Sequence, residues 1–309
     1  MEYAHVPVMV QEVLSFLKPR PGQRYLDGTL GGGGHAEQIL IHSGPDGELL
    51  ALDRDGDAIA ASRARLRVYQ DRLTIRQASF EQARELLLEL EWHQVDGVVL
   101  DLGVSSHQID RPERGFSFQA NARLDMRMDR RQSLAACDVV NSYPEADIEQ
   151  ILKEYGEERQ ARRIALAIAA ERRKKPIETT EDLAGIIVRV KGKRSRGLHP
   201  ATQTFQALRI TVNREIESLR LFLADGYQLL RPEGRMVIMS FHSLEDRLVK
   251  SAFRQWSRDC LCPPRTLKCR CGWSQKVQLL TKRPVRPGLD ELHANPRCRS
   301  AKLRAVVRI

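Results

Sequence analysis

The chain has 309 residues, 42% of them hydrophobic and 29% charged. It is long enough to bury a sizeable core without disulfides, and the composition excludes a disordered chain. Fifty basic residues against 40 acidic ones give a net charge of +10, which points first to a polyanion, nucleic acid or an acidic membrane surface, with plain solubility as the alternative. The charge is uneven. Residues 1–108 carry 10 basic and 16 acidic groups, residues 109–213 carry 20 and 15, and residues 214–309 carry 20 and 9. A polyanion is therefore expected to meet the later two-thirds. No run approaches the roughly 18 apolar residues of a membrane helix. The first eleven residues lack the layout of a signal peptide. Six cysteines are too few for a secreted disulfide scaffold of this length. The expected setting is the cytoplasm, with no membrane partner; the oligomeric state is left open.

In chain order, residues 24–28 read as a short buried strand ending in Asp27 and a glycine cluster. A helix is expected at 35–43, a strand at 47–53, a helix at 58–70, a strand at 73–75, a helix at 81–91 and a strand at 95–102. Short apolar runs separated by helices are what a parallel sheet covered on both faces requires, so the class is α/β with right-handed crossovers. From 133 to 211 the pattern turns all-helical, with helices expected at 145–155, 158–174, 180–190 and 199–223. Strands resume at 234–240, 277–281 and 303–309. The economical organisation is one sheet domain (1–108 and 214–309) interrupted by a helical insertion at 109–213.

The strongest local signal is Leu26-Asp-Gly-Thr-Leu-Gly-Gly-Gly-Gly-His35. Glycines after a first strand allow a sharp turn and close approach of a ligand. Gly31-x-Gly33-x-x-Ala36 also fits the dinucleotide pattern, and Asp53 follows Gly33 by 20 residues at a strand end, where a carboxylate can bond ribose hydroxyls. No Gly-Lys-Ser/Thr is present, which disfavours a P-loop hydrolase. A pyrophosphate would prefer a positive cradle, whereas this third is acidic. S-adenosylmethionine, a sulfonium without phosphate, suits Asp27, Asp53 and Asp101 better. Taken singly, each aspartate can equally be a helix cap or turn residue.

With these residues in view, the chain resembles the RsmH/MraW family of bacterial 16S ribosomal RNA cytidine-N4 methyltransferases along nearly its whole length. The stretches that carry the resemblance are His5-Val-Pro-Val8, Asp27-Gly-Thr-Leu-Gly-Gly-Gly-Gly-His35, Leu52-Asp-Arg-Asp55 and Leu100-Asp-Leu-Gly-Val-Ser-Ser106. Others are Arg114-Gly-Phe-Ser-Phe118, Leu124-Asp-Met-Arg-Met-Asp129, Tyr155-Gly-Glu-Glu158, Thr202-x-x-Phe-Gln-Ala207, Ser240-Phe-His-Ser-Leu-Glu-Asp-Arg247 and Asn295-Pro-Arg-x-Arg-Ser300. The resemblance implies a class I, Rossmann-like methyltransferase sheet of seven mostly parallel strands with a helical insertion domain for substrate recognition. It implies S-adenosylmethionine as donor and a cytidine of small-subunit 16S rRNA as acceptor. Cofactor contacts would fall on Gly33, Gly34, His35, Asp53, Phe80, Asp101 and Gln108. One feature of the wider class is missing: the Asp/Asn-Pro-Pro-aromatic tetrapeptide that holds a target amine is replaced here by Asp101-Leu-Gly-Val104.

Cytosine N4 is a poor nucleophile because its lone pair is delocalised, so an acceptor for its proton is required. Asp101 is the candidate, with Ser240 and His242 as an opposite wall; His242 can equally be a structural loop residue. Phe116 and Phe118 could stack on an unstacked base or anchor the insertion. Arg172, Arg173, Lys174, Lys175 and Arg194 are candidate phosphate positioners. Cys260-x-Cys262-(x6)-Cys269-x-Cys271, in a Cys-rich loop at 258–273, offers four candidate ligands for structural zinc, although C-x-C is tighter than the usual C-x2–4-C. The alternative is four reduced thiols. Two other functions share parts of this pattern: an NAD-dependent dehydrogenase using the same glycine loop, and an RNA-binding ribosome assembly factor that keeps the fold without turnover.

Overall fold

A computed structural model describes residues 7–192, 199–263, 266 and 268–309. His5, Val6 and Arg194 lie outside the described residues. The chain divides into two compact units, Met1–Gly103 with Ile216–Ile309, and Val104–Glu215.

The first unit opens with α1 (Val10–Leu17), β1 (Arg24–Asp27), α2 (Gly34–His42), β2 (Glu48–Asp53), α3 (Gly56–Arg65), β3 (Leu73–Gln77), α4 (Ala83–Glu89) and β4 (Val95–Asp101). The second contains α5 (Ser106–Asp110), α6 (Ala136–Ser142), α7 (Glu145–Gly156), α8 (Ala161–Arg172), α9 (Thr180–Lys191) and α10 (Thr202–Asn213). After these come α11 (Glu215–Asp225), β5 (Leu230–Ser240), α12 (Ser243–Trp256), β6 (Val277–Leu279), α13 (Leu289–Ala294) and β7 (Lys302–Arg308). The seven strands form one sheet in the order β3-β2-β1-β4-β5-β7-β6. β1 to β5 pair in parallel, and β7 runs antiparallel to both β5 and β6. This is the mostly parallel Rossmann-like sheet that the resemblance implied.

Successive strand residues point to opposite faces, and both faces are apolar. Leu26, Leu50, Leu52, Val98, Leu100 and Ile238 join one buried cluster; Tyr25, Leu49, Ala51, Val99, Val237 and Ala305 join the other. Covering both faces explains why the strands read as unbroken apolar runs. The second unit has its own core, in which Val139, Ile148, Leu152, Ile164, Leu183 and Leu208 are fully buried.

Two departures from the expected elements have local causes. The helix expected at 58–70 ends at Arg65 and tightens into a 3₁₀ turn over Arg67–Arg72. The helix expected at 199–223 is two helices, broken at Arg214, whose φ is +50°. There the buried Asn213 turns its amide onto the preceding loop: its Nδ2 donates to Met126 O (2.8 Å), and its Oδ1 accepts from Met128 N–H (2.8 Å). Helices α1, α5, α6, α12 and α13 were not expected. Among the described residues, no helix is long and apolar enough to cross a membrane.

Ile238 is 1% exposed within the first of these clusters. Ile238→Ala is expected to lower unfolding free energy by about 2–5 kcal/mol through lost burial and a residual cavity, measured by urea denaturation.

Candidate functional site

β1 is too short to carry its carboxylate past the sheet, so Asp27 closes the strand at 1% exposure. The chain then turns sharply. Gly28 N–H donates to Val99 O (3.0 Å) and Leu30 N–H to Leu52 O (2.8 Å), which straps the glycine loop across the carboxyl ends of β4 and β2. A side chain at position 28 would stand 2.3 Å from Leu100 Cδ2 and 2.9 Å from Phe80 Cβ, so only glycine fits the approach. Gly33 caps α2 with a φ of +77°, and the Pro7 ring lies 2.7 Å from where a Cβ on Gly34 would stand.

Asp53 holds this loop. Its Oδ2 accepts from Gly31 N–H (2.7 Å) and its Oδ1 from Asp55 N–H (2.8 Å). Thr29 ties the loop to β4, its Oγ1 accepting from Asp101 N–H at 2.6 Å, while Thr29 N–H donates to Asp27 Oδ1 at 3.0 Å. Thr29 was missed in the sequence; a short hydroxyl two residues after a strand-end aspartate was the available signal.

Three buried polar atoms remain here without a hydrogen-bond partner among the described residues: Asp27 Oδ2, His35 Nε2 and Asp101 Oδ1. His35, buried in the first turn of α2, has its Nε2 3.7 Å from Asp101 Oδ2, an electrostatic approach longer than a hydrogen bond. Burial pushes the Asp27 carboxyl up to about 7, against the pull of the Thr29 N–H and with the Asp101 and Asp53 charges adding to the rise. Burial likewise lifts Asp53 to about 6, despite the N–H groups of Asp55 and Gly31. For His35 burial opposes the charged form, but the carboxylates of Asp101, Asp27 and Glu291 outweigh it and its pKa lies above the ordinary histidine value. Uncompensated buried acids around a glycine turn at the carboxyl ends of parallel strands are an arrangement suited to a ligand, and to a cationic one.

The model of the MraW methylase family matches residues 2–309. The chain belongs to this family. Ribosomal RNA small subunit methyltransferase H of Symbiobacterium thermophilum is 47% identical over 311 residues, covering 100% of this chain and 98% of that protein. The protein of the same name from Geobacter sulfurreducens is 49% identical over 314 residues, covering both chains completely. A solved rRNA methylase from Streptococcus thermophilus aligns over 99% of both chains at 9% identity and a TM-score of 0.40, too loosely to inform the site.

In this MraW-family chain the remaining expected residues are distributed as follows. Phe80, half-buried after β3, packs edge-on against Phe222 at 5.7 Å, with the Arg54 guanidinium 5.8 Å from its ring centre. Ser240 is buried at the end of β5 and donates to Lys302 O (3.3 Å). His242 caps α12: Glu245 N–H donates to its Nδ1 at 3.5 Å, and its Nε2 lies 3.1 Å from Glu245 Oε1. That is the structural loop role weighed for it. Gln108 belongs to the second unit, where its Oε1 accepts from Ser105 N–H (3.0 Å) in the cap of α5.

In the same unit Phe118 stacks on His199 with ring centres 4.3 Å apart and meets Phe205 edge-on at 5.1 Å. Phe116 packs on the unit's apolar cluster, with Arg114 5.9 Å from its ring. Both rings thus take part in the insertion's packing. Arg114 was not singled out in the sequence, yet it is 1% exposed and donates to Arg127 O and Met128 O. Arg172 Nη1 donates to Val140 O (2.9 Å) and Tyr143 O (2.7 Å), tying α8 to the end of α6. Arg173, Lys174 and Lys175 are exposed, the lysines near Glu171 and Asp182. Cys260, Cys262, Cys269 and Cys271 gather in the loop between α12 and β6.

A carboxyl raised by folding weakens the native state as it ionises, so the Asp27 contribution is lost as pH climbs from about 4 to about 7 and levels off above. Asp27→Asn is expected to gain a few kcal/mol on the native chain across that window. Urea unfolding of both proteins at about pH 5 and pH 8 checks this; a constant difference between them overturns it.

Proposed function

We propose that this chain transfers a methyl group from S-adenosylmethionine to the exocyclic N4 of a cytidine in 16S rRNA of the small ribosomal subunit. The observation that carries the reading is the set of buried, unpartnered acidic oxygens at the strand ends beside a glycine cradle. The relatives' names, which specify small-subunit ribosomal RNA, support the substrate class.

The residues fit the donor. Its ammonium and sulfonium are cationic, and Asp27 Oδ2 and Asp101 Oδ1 are buried acceptors lacking partners. A nicotinamide dinucleotide would bring a pyrophosphate into the same acidic cluster, which disfavours it. When bound, S-adenosylmethionine supplies an electrophilic methyl group, so alignment is much of the catalysis. Asp27 would hold the ammonium, and Asp53 would receive ribose hydroxyls on the lone pairs left by Gly31 and Asp55. Gly33 and Gly34, packed against Leu66 and Pro7, would hold the turn that brings the start of α2 to the ligand, and Phe80 would border the adenine beside Gly28. Asp101 Oδ1 would accept the hydrogen bond of the target amine and take its proton as the nitrogen gains the methyl group. His35 steadies the Asp101 carboxylate from 3.7 Å. Ser240 and His242 would form the facing wall, with His242 fixed by its cap.

The second unit would recognise the RNA. Arg173, Lys174 and Lys175 offer exposed cations for phosphate. Arg194 would extend that set, and Arg172 would support it by anchoring α8. Phe116 and Phe118 would shape the surface on which an unstacked base rests.

Asp101→Asn is expected to reduce labelled-methyl transfer to small subunits or 16S rRNA by roughly 10²–10⁴-fold at saturating cofactor. A normal rate at saturating cofactor overturns the role of Asp101, and absence of transfer by the unmodified chain to every small-subunit RNA substrate overturns the function. Cation binding beside Asp27 favours its ionised form. Calorimetry is therefore expected to show S-adenosylmethionine binding tighten, with proton release, as pH rises toward about 7 and flatten above. NAD is expected to give no binding heat.

A further inference from the structure

The loop between α12 and β6 holds a cluster that methyl transfer does not use. Cys260 Sγ lies 3.4 Å from Cys269 Sγ and 3.6 Å from Cys271 Sγ. Cys269 and Cys271 are 3.5 Å apart at sulfur, and Cys262 Sγ is 4.0 Å from Cys269 Sγ. All four sulfurs lie within 4.8 Å of one another. These are not disulfides, whose sulfurs stand about 2.05 Å apart; all four cysteines are free. Four thiolates around a tetrahedral ion, with metal–sulfur bonds of about 2.3 Å, stand about 3.8 Å from one another. The observed spacings bracket that value.

The backbone is arranged to suit thiolates. Leu261 N–H donates to Cys271 Sγ (3.4 Å), Cys262 N–H to Cys260 Sγ (3.3 Å) and Arg270 N–H to Cys262 Sγ (3.4 Å). Such donors orient metal-bound sulfurs and spread their charge. They also show how the short C-x-C spacing works: each tight turn aims an N–H at a sulfur as it brings two sulfurs to one point. The loop carries the exposed Arg258, Lys268 and Arg270 against the exposed acid Asp259, an excess of positive charge that suits a tetrathiolate centre. Little apolar packing gathers these thiols. The cysteines lie at or near the surface, and the loop is tethered at its base, where Trp273 Nε1–H donates to Arg258 O (3.0 Å) and Lys276 N–H donates to Trp256 O (2.8 Å). A purely sulfur donor set of tetrahedral spacing selects zinc over hard cations.

We propose that Cys260, Cys262, Cys269 and Cys271 bind one zinc ion as a structural tetrathiolate centre that closes the loop between α12 and β6. The site is independent of methyl transfer and is tested without it. Full-length protein purified without chelator is expected to carry about one zinc per chain by elemental analysis, released when a mercurial titrates four thiols. Cobalt replacing the zinc is expected to show the intense visible bands and sulfur-to-metal charge transfer of a tetrahedral thiolate site. The double variant Cys262→Ser/Cys269→Ser is expected to lose the metal. Trypsin is expected to cut at Arg258, Lys268 or Arg270 at least about tenfold faster in the variant than in the zinc-loaded chain, because the loop opens. Metal-free protein with four freely titratable thiols, disulfides among these cysteines, iron in place of zinc, or zinc retained by the variant would each overturn the assignment. Should the variant fail to fold, thiol titration and the cobalt spectrum of the unmodified chain decide.

Discussion

The parallel register of β1 with its two neighbours is the constraint on which the site depends. Asp27 stands opposite Ala51 of β2 and Val99 of β4. Asp53 and Asp101 each follow those partners by two residues, about 6.6 Å along the strand. Because side chains alternate with a period of two, all three carboxylates emerge on the same face of the sheet, Asp53 and Asp101 one step beyond Asp27. A slip of one residue in either pairing would send a carboxylate into the opposite apolar cluster. The glycine loop, the cap of α2 and the placement of His35 all presuppose this register.

Gathering acids at one buried edge costs folding free energy. The fold offsets part of it with backbone N–H groups: Gly31 and Asp55 serve Asp53, and Thr29 serves Asp27. The offset is incomplete, since Asp27 Oδ2 and Asp101 Oδ1 are left without partners. A protein optimised for stability alone would have filled these positions with apolar residues, as it does one residue earlier at Leu26, Leu52 and Leu100. The uncompensated charge is therefore best understood as interaction held in reserve for a cationic ligand.

The second unit solves a different problem. Its loop from Pro112 to Gln132 has few backbone ladders of its own, and polar side chains fix it instead. Buried Arg114 reaches two carbonyls, Arg127 pairs with Asp125 at 2.7 Å, and Asn213 brackets Met126 and Met128. Much of the Arg and aromatic content that would suit an RNA surface is thus already engaged internally. Phe118 and Arg172 are the clearest cases, whereas Arg173, Lys174 and Lys175 keep exposed side chains, Arg173 bonding Ala169 O and Lys174 bonding Glu171.

The α/β class, the alternation of strands and helices and the glycine loop after the first strand were legible in the sequence, because buried parallel strands and a glycine-rich turn leave composition signals that survive without coordinates. The family was legible as well, through long motifs rather than periodicity. Which face each strand residue takes was not, since both faces are apolar and no alternation marks them. Nor could the sequence separate a residue that meets a ligand from one that holds a neighbour. Asp53 also braces the glycine loop, His242 caps α12 and Phe118 stacks within the insertion, while the tethering roles of Thr29 and Arg114 had no separate signal. Likewise, spacing alone counted C-x-C against a metal site, whereas the folded loop brings the four sulfurs within 4.8 Å of one another. Residue type and order determined what chemistry the chain carries; the pairing of distant segments decided which side chains are already satisfied and which remain to act.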